Sequence, residues 1–223
     1  MKKRLIYLVI LFVSYVSSDF CITQKEHEKW WETNVEKQME TFASWLGGIQ
    51  AESRITMREY IKNRGYKSVL DIPCGLCTEL LGYKADGMDI AYLGIDITEK
   101  LITRAQSLGI NAIQGSIESI PLPDSYIEVC YARHILEHLD YYELALNELI
   151  RVARDEVIVI FFIKPHKADD YICSAIDRGC VLYHNTYNKN KIERFIHGNA
   201  KVDTLIWECI GEKEEALHIY LRN

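Results

Sequence analysis

The chain has 223 residues, 48% of them hydrophobic, 26% charged and only 4 of them proline, the composition of one packed α/β-sized domain, which excludes a disordered or fibrous protein. Lys and Arg total 26 against 32 Asp and Glu, a formal net charge of -6, so there is no broad basic field to draw in nucleic acid phosphates. The 7 cysteines, an odd number scattered through expected strands and helices, suit reduced thiols better than a disulfide framework.

Lys2-Lys3-Arg4 precede an apolar run from Leu5 to Val16 and then Ser17-Ser18. That is the layout of a secretory signal and is too short for a comfortable transmembrane helix. Residues 1–18 are therefore read as a signal-like or membrane-anchoring leader, with association with a membrane through the N-terminus. The reduced thiols place the rest in the cytoplasm, or anchored facing it, with export as the alternative. From Thr23 to about Leu46, Trp30, Trp31, Val35, Met39, Phe42 and Trp45 recur near three and four apart, an amphipathic helix that Gly47-Gly48 ends. A second helix is expected from Glu52 to Asn63, and together 23–64 are read as an N-terminal helical cap on a domain running 65–223.

From Ser68 onward short apolar runs alternate with helical ones, the pattern of a parallel sheet with crossover helices. Strands are expected at Ser68 to Ile72, Tyr92 to Ile95, Ala112 to Ile113, Ile127 to Ala132 and Glu156 to Ile163, with helices at Glu99 to Ser107 and Tyr142 to Val152. A further helix at Lys189 to His197 precedes two runs, Lys201 to Ile210 and Ala216 to Leu221, joined by Gly211-Glu212-Lys213. So short a turn makes a hairpin, so the sheet ends in an antiparallel pair.

The segment Val69-Leu70-Asp71-Ile72-Pro73-Cys74-Gly75-Leu76-Cys77 reads as a buried strand entering a tight turn and then a helix. A small residue there lets backbone approach a ligand, and a helix N-terminus offers N–H groups to an anion. Asp96 ends the next strand in Leu93-Gly94-Ile95-Asp96, where a carboxylate can accept hydrogen bonds from both ribose hydroxyls. Together they point to an adenosine-containing ligand. Gln114-Gly115-Ser116-Ile117-Glu118 closes the third strand, and Ile120-Pro121-Leu122-Pro123-Asp124-Ser125-Tyr126 leads into the fourth.

Over about Ser68 to Ile163 these elements resemble the type 11 branch of class I S-adenosylmethionine-dependent methyltransferases. The resemblance implies a Rossmann-like fold: a seven-stranded, mostly parallel sheet with an antiparallel last strand and helices on both faces. It implies S-adenosyl-L-methionine as cofactor, with Asp71, Pro73 and Gly75 at its methionine end, Asp96 and Ile97 at the ribose, and Ser116 and Ile117 at the adenine. Pro73 and Cys77 stand where the family pattern has glycines, so the turn is expected to be differently shaped. The sulfonium already activates the methyl group, so a general base is optional, and His134 or His138 would serve a hydroxyl acceptor. The expected acceptor is a small molecule or lipid, chosen by the cap and by Ala168 to Tyr187 with Tyr171, Tyr183, His184 and Tyr187; a protein or RNA acceptor would need a basic or extended groove. The oligomeric state is left open.

Three rival readings use the same residues. A nicotinamide site wants G-x-G-x-x-G, and the turn offers Pro73, Gly75 and Thr78. Cys74 and Cys77 form C-x-x-C, a redox pair or half a zinc site elsewhere, but Cys173, Cys180 and His184 do not repeat the spacing, so no metal is expected. His134-Ile135-Leu136-Glu137-His138 matches H-x-x-E-H, the inverted zinc-peptidase signature, which requires both histidines on one helix. Pro73, Cys77 and the leader also leave room for a non-catalytic, cofactor-binding relic.

Overall fold

A computed structural model describes residues 31–34, 48–172, 174–177 and 180–222. The leader and the helix expected at 23–46, apart from residues 31–34, which are helical, lie outside them. Among the described residues no helix is long and apolar enough to cross a membrane.

Helix α1 (Glu52–Arg64) ends where Gly65 takes a left-handed φ of 75°, a conformation that costs glycine little. Strand β1 (Ser68–Asp71), helix α2 (Thr78–Ala85), strand β2 (Ala91–Asp96), helix α3 (Glu99–Ser107) and strand β3 (Ala112–Gln114) follow. Strand β4 (Ile127–Arg133) then leads through helix α4 (Glu143–Val152) straight into β5 (Ala153–Phe161). After a small hairpin, β6 (Ser174–Asp177) and β7 (Cys180–Tyr183), come helix α5 (Lys189–His197), β8 (Val202–Ile210) and β9 (Glu214–Leu221).

Seven strands form one sheet in the order β3-β2-β1-β4-β5-β9-β8. Strands β1 to β5 are mutually parallel, and β9 runs antiparallel to both its neighbours. The residues of β5 show why the centre tolerates no polar face: Val157, Val159 and Phe161 join α4 and α5 on one side, while Ile158 and Ile160 join α1, α2 and α3 on the other. A strand covered on both faces reads as an unbroken apolar run. Helix α4 buries Ala145, Leu146, Leu149 and Ile150, a single stripe at helical spacing. Each fully buried leucine or isoleucine contributes about 1.5–3 kcal/mol.

Most strand bounds moved by a residue or two, and both bounds of β5 moved by two or three. Strand β5 starts at Ala153 rather than Glu156 and stops at Phe161 rather than Ile163. It stops there because the Phe162 and Ile163 amides donate to the Glu137 carboxylate, at 2.6 and 3.2 Å, instead of to the sheet. The β6–β7 hairpin was not expected at all.

The chain runs β1, β2, β3 outward on one side of the sheet and then crosses back to place β4 on the other side of β1. Adjacent loops therefore diverge at the carboxyl ends of β1 and β4, which opens a crevice there.

Candidate active site

A cleft opens at those carboxyl ends. Ile72 and Pro73 follow β1, Asp96 and Ile97 close β2, and Gly115, Ser116 and Ile117 follow β3. Ile135, His138 and Leu139 follow β4, and Trp31 lies against them. All but Trp31 thus come from loops at one end of the sheet.

Asp96 ties the first two loops together. Its Oδ2 accepts the Gly75 N–H at 2.9 Å and its Oδ1 accepts the Thr98 N–H at 2.9 Å. Each carboxylate oxygen has a second lone pair to offer. Burial raises the Asp96 pKa, against the two amide hydrogen bonds. Gly94 has no room for a side chain, since a Cβ would sit 2.9 Å from Cys74 Sγ. Gly115 is closed in likewise by Pro121 Cδ at 2.9 Å.

The first turn carries its two glycine replacements openly. Gly75 takes φ 51°, and Cys77 itself takes φ 55°, so the left-handed step is made by a residue with a Cβ. The Cys77 N–H donates to the Cys74 carbonyl at 2.7 Å, and the Cys74 N–H to the Ile95 carbonyl at 2.8 Å. Both cysteines are buried. A hydrogen bond from the Cys74 thiol draws Cys77 down to about 7, against burial and with help from Tyr92. Beneath the turn, Tyr92 donates to Asp71 at 2.7 Å, and Arg54 pairs with buried Glu79. Burial and the neighbouring Glu79 raise Asp71 well above the usual carboxylate range.

Of the expected cofactor residues, Pro73, Asp96, Ile97, Ser116 and Ile117 line the cleft. Asp71 does not; it is buried under the turn and held by Tyr92. Gly75 acts through its amide on Asp96. Sequence reasoning missed Trp31, Ile72, Gly115, Ile135 and Leu139; their only signal was position just past a strand end or on an amphipathic stripe. Among the described residues of 168–187 none lines the cleft. Instead Tyr187 donates to the Leu136 and Leu139 carbonyls at 2.8 and 3.1 Å, and the Asn185 amide to Glu137 O at 2.9 Å. That segment therefore fastens the turn at 136–139.

The two histidines have different surroundings. His134 takes φ 56° and bonds Glu214 through Nε2, in a cluster where Arg133 also reaches Glu214 at 2.9 Å and Ser53 at 3.1 Å. Burial pushes His134 down to about 4, against the pull of Glu214. Burial opposes the charge on Glu214, but His134 and Arg133 outweigh it and hold the carboxylate at about 2. His138 lines the cleft, in a 3-10 turn at Leu136–His138. With His134 outside any helix, and Glu137 turned inward on backbone amides, the H-x-x-E-H segment lacks the single helical face that a zinc peptidase uses.

Residues 70–161 match the family described as "Methyltransferase domain". Over 93 residues the chain is 28% identical to the malonyl-[acyl-carrier protein] O-methyltransferase of Pectobacterium atrosepticum, a stretch covering 42% of this chain and 37% of that protein. The chain thus spans little more than a third of the length of the curated relatives it matches. In fold it is similar to the 1,6-didemethyltoxoflavin-N1-methyltransferase of Burkholderia thailandensis, solved with S-adenosylhomocysteine, at TM-score 0.65 and 11% identity over 93% of this chain and 94% of that one. It is also similar to magnesium protoporphyrin IX methyltransferase from Synechocystis, solved with S-adenosylhomocysteine, at TM-score 0.63 and 10% identity over 90% and 100%. The family match covers residues 70–161, the stretch whose strands carry the cleft at their carboxyl ends, and the fold is that of these solved methyltransferases.

Proposed function

We propose that the chain is an S-adenosylmethionine-dependent methyltransferase acting on a small-molecule acceptor. The observation that carries this reading is Asp96, a buried carboxylate at the end of β2 that faces the cleft with lone pairs beyond those given to Gly75 and Thr98. These residues fit the cofactor: Asp96 would hold the ribose hydroxyls, Ile97, Ser116 and Ile117 the adenine, and Pro73 the methionine end. When bound, S-adenosylmethionine supplies a methyl group already activated by the sulfonium. The chain's own part is to align donor and acceptor and to exclude water with the apolar walls of Ile72, Ile135 and Leu139. A small acceptor is favoured over a protein or RNA because no Lys or Arg is among the described lining residues. Calorimetric titration of S-adenosylhomocysteine into the full chain tests the reading. Roughly micromolar binding at one site is expected, and a folded sample that binds nothing would sink it.

A further inference from the structure

We propose that Cys74 and Cys77 are a thiol–disulfide pair, a site of reversible oxidation by hydrogen peroxide whose closure weakens cofactor binding. The inference rests on the methyltransferase reading above for what the pair controls, and goes beyond it in assigning the pair. Conformation alone does not call for these residues: Cys77 takes φ 55°, the left-handed region that favours glycine, and yet carries a side chain.

The Cys77 N–H donates to the Cys74 carbonyl at 2.7 Å, which makes residues 74–77 one tight turn. Such a turn holds its first and fourth Cα atoms within about 7 Å, and a disulfide spans Cα atoms about 4.4–6.8 Å apart. The two side chains already meet: the Cys74 thiol donates to Cys77, and both pack in one core cluster with Tyr92. That hydrogen bond draws Cys77 down to about 7, so a large share of it is thiolate near neutral pH, and the thiolate is the form that reacts. Among the described residues Cys130 sits in the cluster on the opposite face of the sheet, and Cys209 lies on the edge strand β8, so neither competes for the bond. No three His, Cys, Asp or Glu side chains gather into a metal centre among the described residues either. Both cysteines are buried, which keeps a folded partner protein from the sulfurs and selects an oxidant little larger than water. Pro73, the residue before Cys74, lines the cleft, so the pair lies directly behind the cofactor's place.

In the reaction the Cys77 thiolate attacks one peroxide oxygen, the O–O bond breaks, and the departing hydroxide takes up a proton to leave as water, giving a sulfenic acid. The Cys74 sulfur then attacks the Cys77 sulfur, loses its proton and displaces the hydroxyl as a second water. The two thiols give up two electrons and the peroxide becomes two waters; a dithiol reverses the step by exchange. Replacing the hydrogen bond between the sulfurs by a covalent bond draws the ends of the turn together. Gly75 lies between them, and its N–H is the one that donates to Asp96 Oδ2 at 2.9 Å. Closure therefore shifts the amide that holds the cleft's carboxylate in place.

The test uses the full chain. Reduced, folded protein is treated with hydrogen peroxide, the remaining thiols are alkylated in denaturant, and the tryptic peptide 68–84, which carries both cysteines, is read by mass spectrometry. The expected product is that peptide unalkylated and lighter by two hydrogens, and dithiothreitol added before alkylation should return the doubly alkylated form. Calorimetry with S-adenosylhomocysteine is then expected to show binding at least about tenfold weaker in the oxidised chain, recovered on reduction. In Cys77→Ser and, separately, in Cys74→Ser, peroxide should leave the affinity within about threefold of the same variant untreated. A peptide alkylated at both cysteines after peroxide, a disulfide with unchanged affinity, or an affinity loss of the same size in both variants would overturn the proposal alone. A reduced chain that binds no S-adenosylhomocysteine would overturn the methyltransferase reading and this control of binding with it.

Discussion

Replacing Asp96 with alanine separates what this carboxylate does for the fold from what it does for the ligand. Its two oxygens satisfy the Gly75 and Thr98 amides at 2.9 Å each, and the residue is only 5% exposed. Leaving a buried donor unsatisfied costs about 1–3 kcal/mol, so the pair costs roughly 2–6 kcal/mol, a large part of a typical folding stability of about 5–15 kcal/mol. Hydrogen bonds from ribose to a carboxylate contribute about 1.5–3 kcal/mol each. Losing two of them weakens cofactor binding by about 100-fold or more. Asp96→Asn distinguishes the terms, because its remaining oxygen keeps one amide satisfied while the charge is gone. It should lose less stability than the alanine variant and still bind at least about tenfold more weakly. Denaturant unfolding reads the first quantity and calorimetry with S-adenosylhomocysteine the second. A folded Asp96→Ala chain that binds within about threefold of wild type would refute the pocket assignment.

Acid should weaken the fold through the His134–Glu214 pair. His134 falls from 6.5 to about 4 on folding, so its contribution is present above pH 6.5 and lost as pH drops through 4, an upper bound of about 3 kcal/mol. In His134→Gln the denaturation midpoint should vary less across that window, and an unchanged slope would contradict the neutral, buried imidazole. Glu137 has the opposite sign: burial raises it from 4.5 to about 7, so its contribution is present below pH 4.5 and lost as pH rises through 7. Glu137→Gln should match wild type near pH 5 and exceed it above pH 8 in unfolding experiments, whereas Glu137→Ala should cost roughly 2–6 kcal/mol by orphaning the Phe162 and Ile163 amides. Cys77→Gly relieves a left-handed residue worth about 1–2 kcal/mol but adds unfolded-chain entropy of about 0.5–1 kcal/mol and empties a buried thiol site. The net change in unfolding free energy should stay within about 2 kcal/mol, and a larger loss would mean the thiol itself shapes the turn.

Much of the sheet was legible because burial on two faces leaves a strong local signature. Val157 to Phe161 can hardly be anything but a central strand, and helices α3 and α5 fall on the residues that their spacing picked out. The ends were less legible wherever a distant residue sets them. Nothing near Phe162 announces that Glu137, 25 positions earlier, will take its amide from the sheet. The same holds for His134, whose partner Glu214 arrives from the last strand, 80 positions away. The β6–β7 hairpin escaped notice for a different reason: Ser174 to Tyr183 shows neither a long apolar run nor a clean alternation, and its contribution is the Tyr183 carbonyl, which bonds His138 Nδ1 and which no side-chain pattern encodes.

The altered first turn bears most directly on whether the site can work. A glycine-rich turn serves by letting backbone reach φ above zero and by keeping side chains out of the ligand's way. Here Cys77 reaches φ 55° with its side chain fully buried, pointing into the core beside Cys74 and Tyr92 instead of into the cleft. Pro73 gives up an amide hydrogen, but the neighbouring amides of Cys74 and Gly75 are already committed to Ile95 and Asp96. What the turn offers a ligand on this side is therefore shape and an apolar surface at Ile72 and Pro73, and the polar recognition shifts to the Asp96 carboxylate. Cys77 thus makes the left-handed step with its side chain kept in the core, and the polar group that this side of the cleft presents is the Asp96 carboxylate, which makes Asp96 the residue to test first.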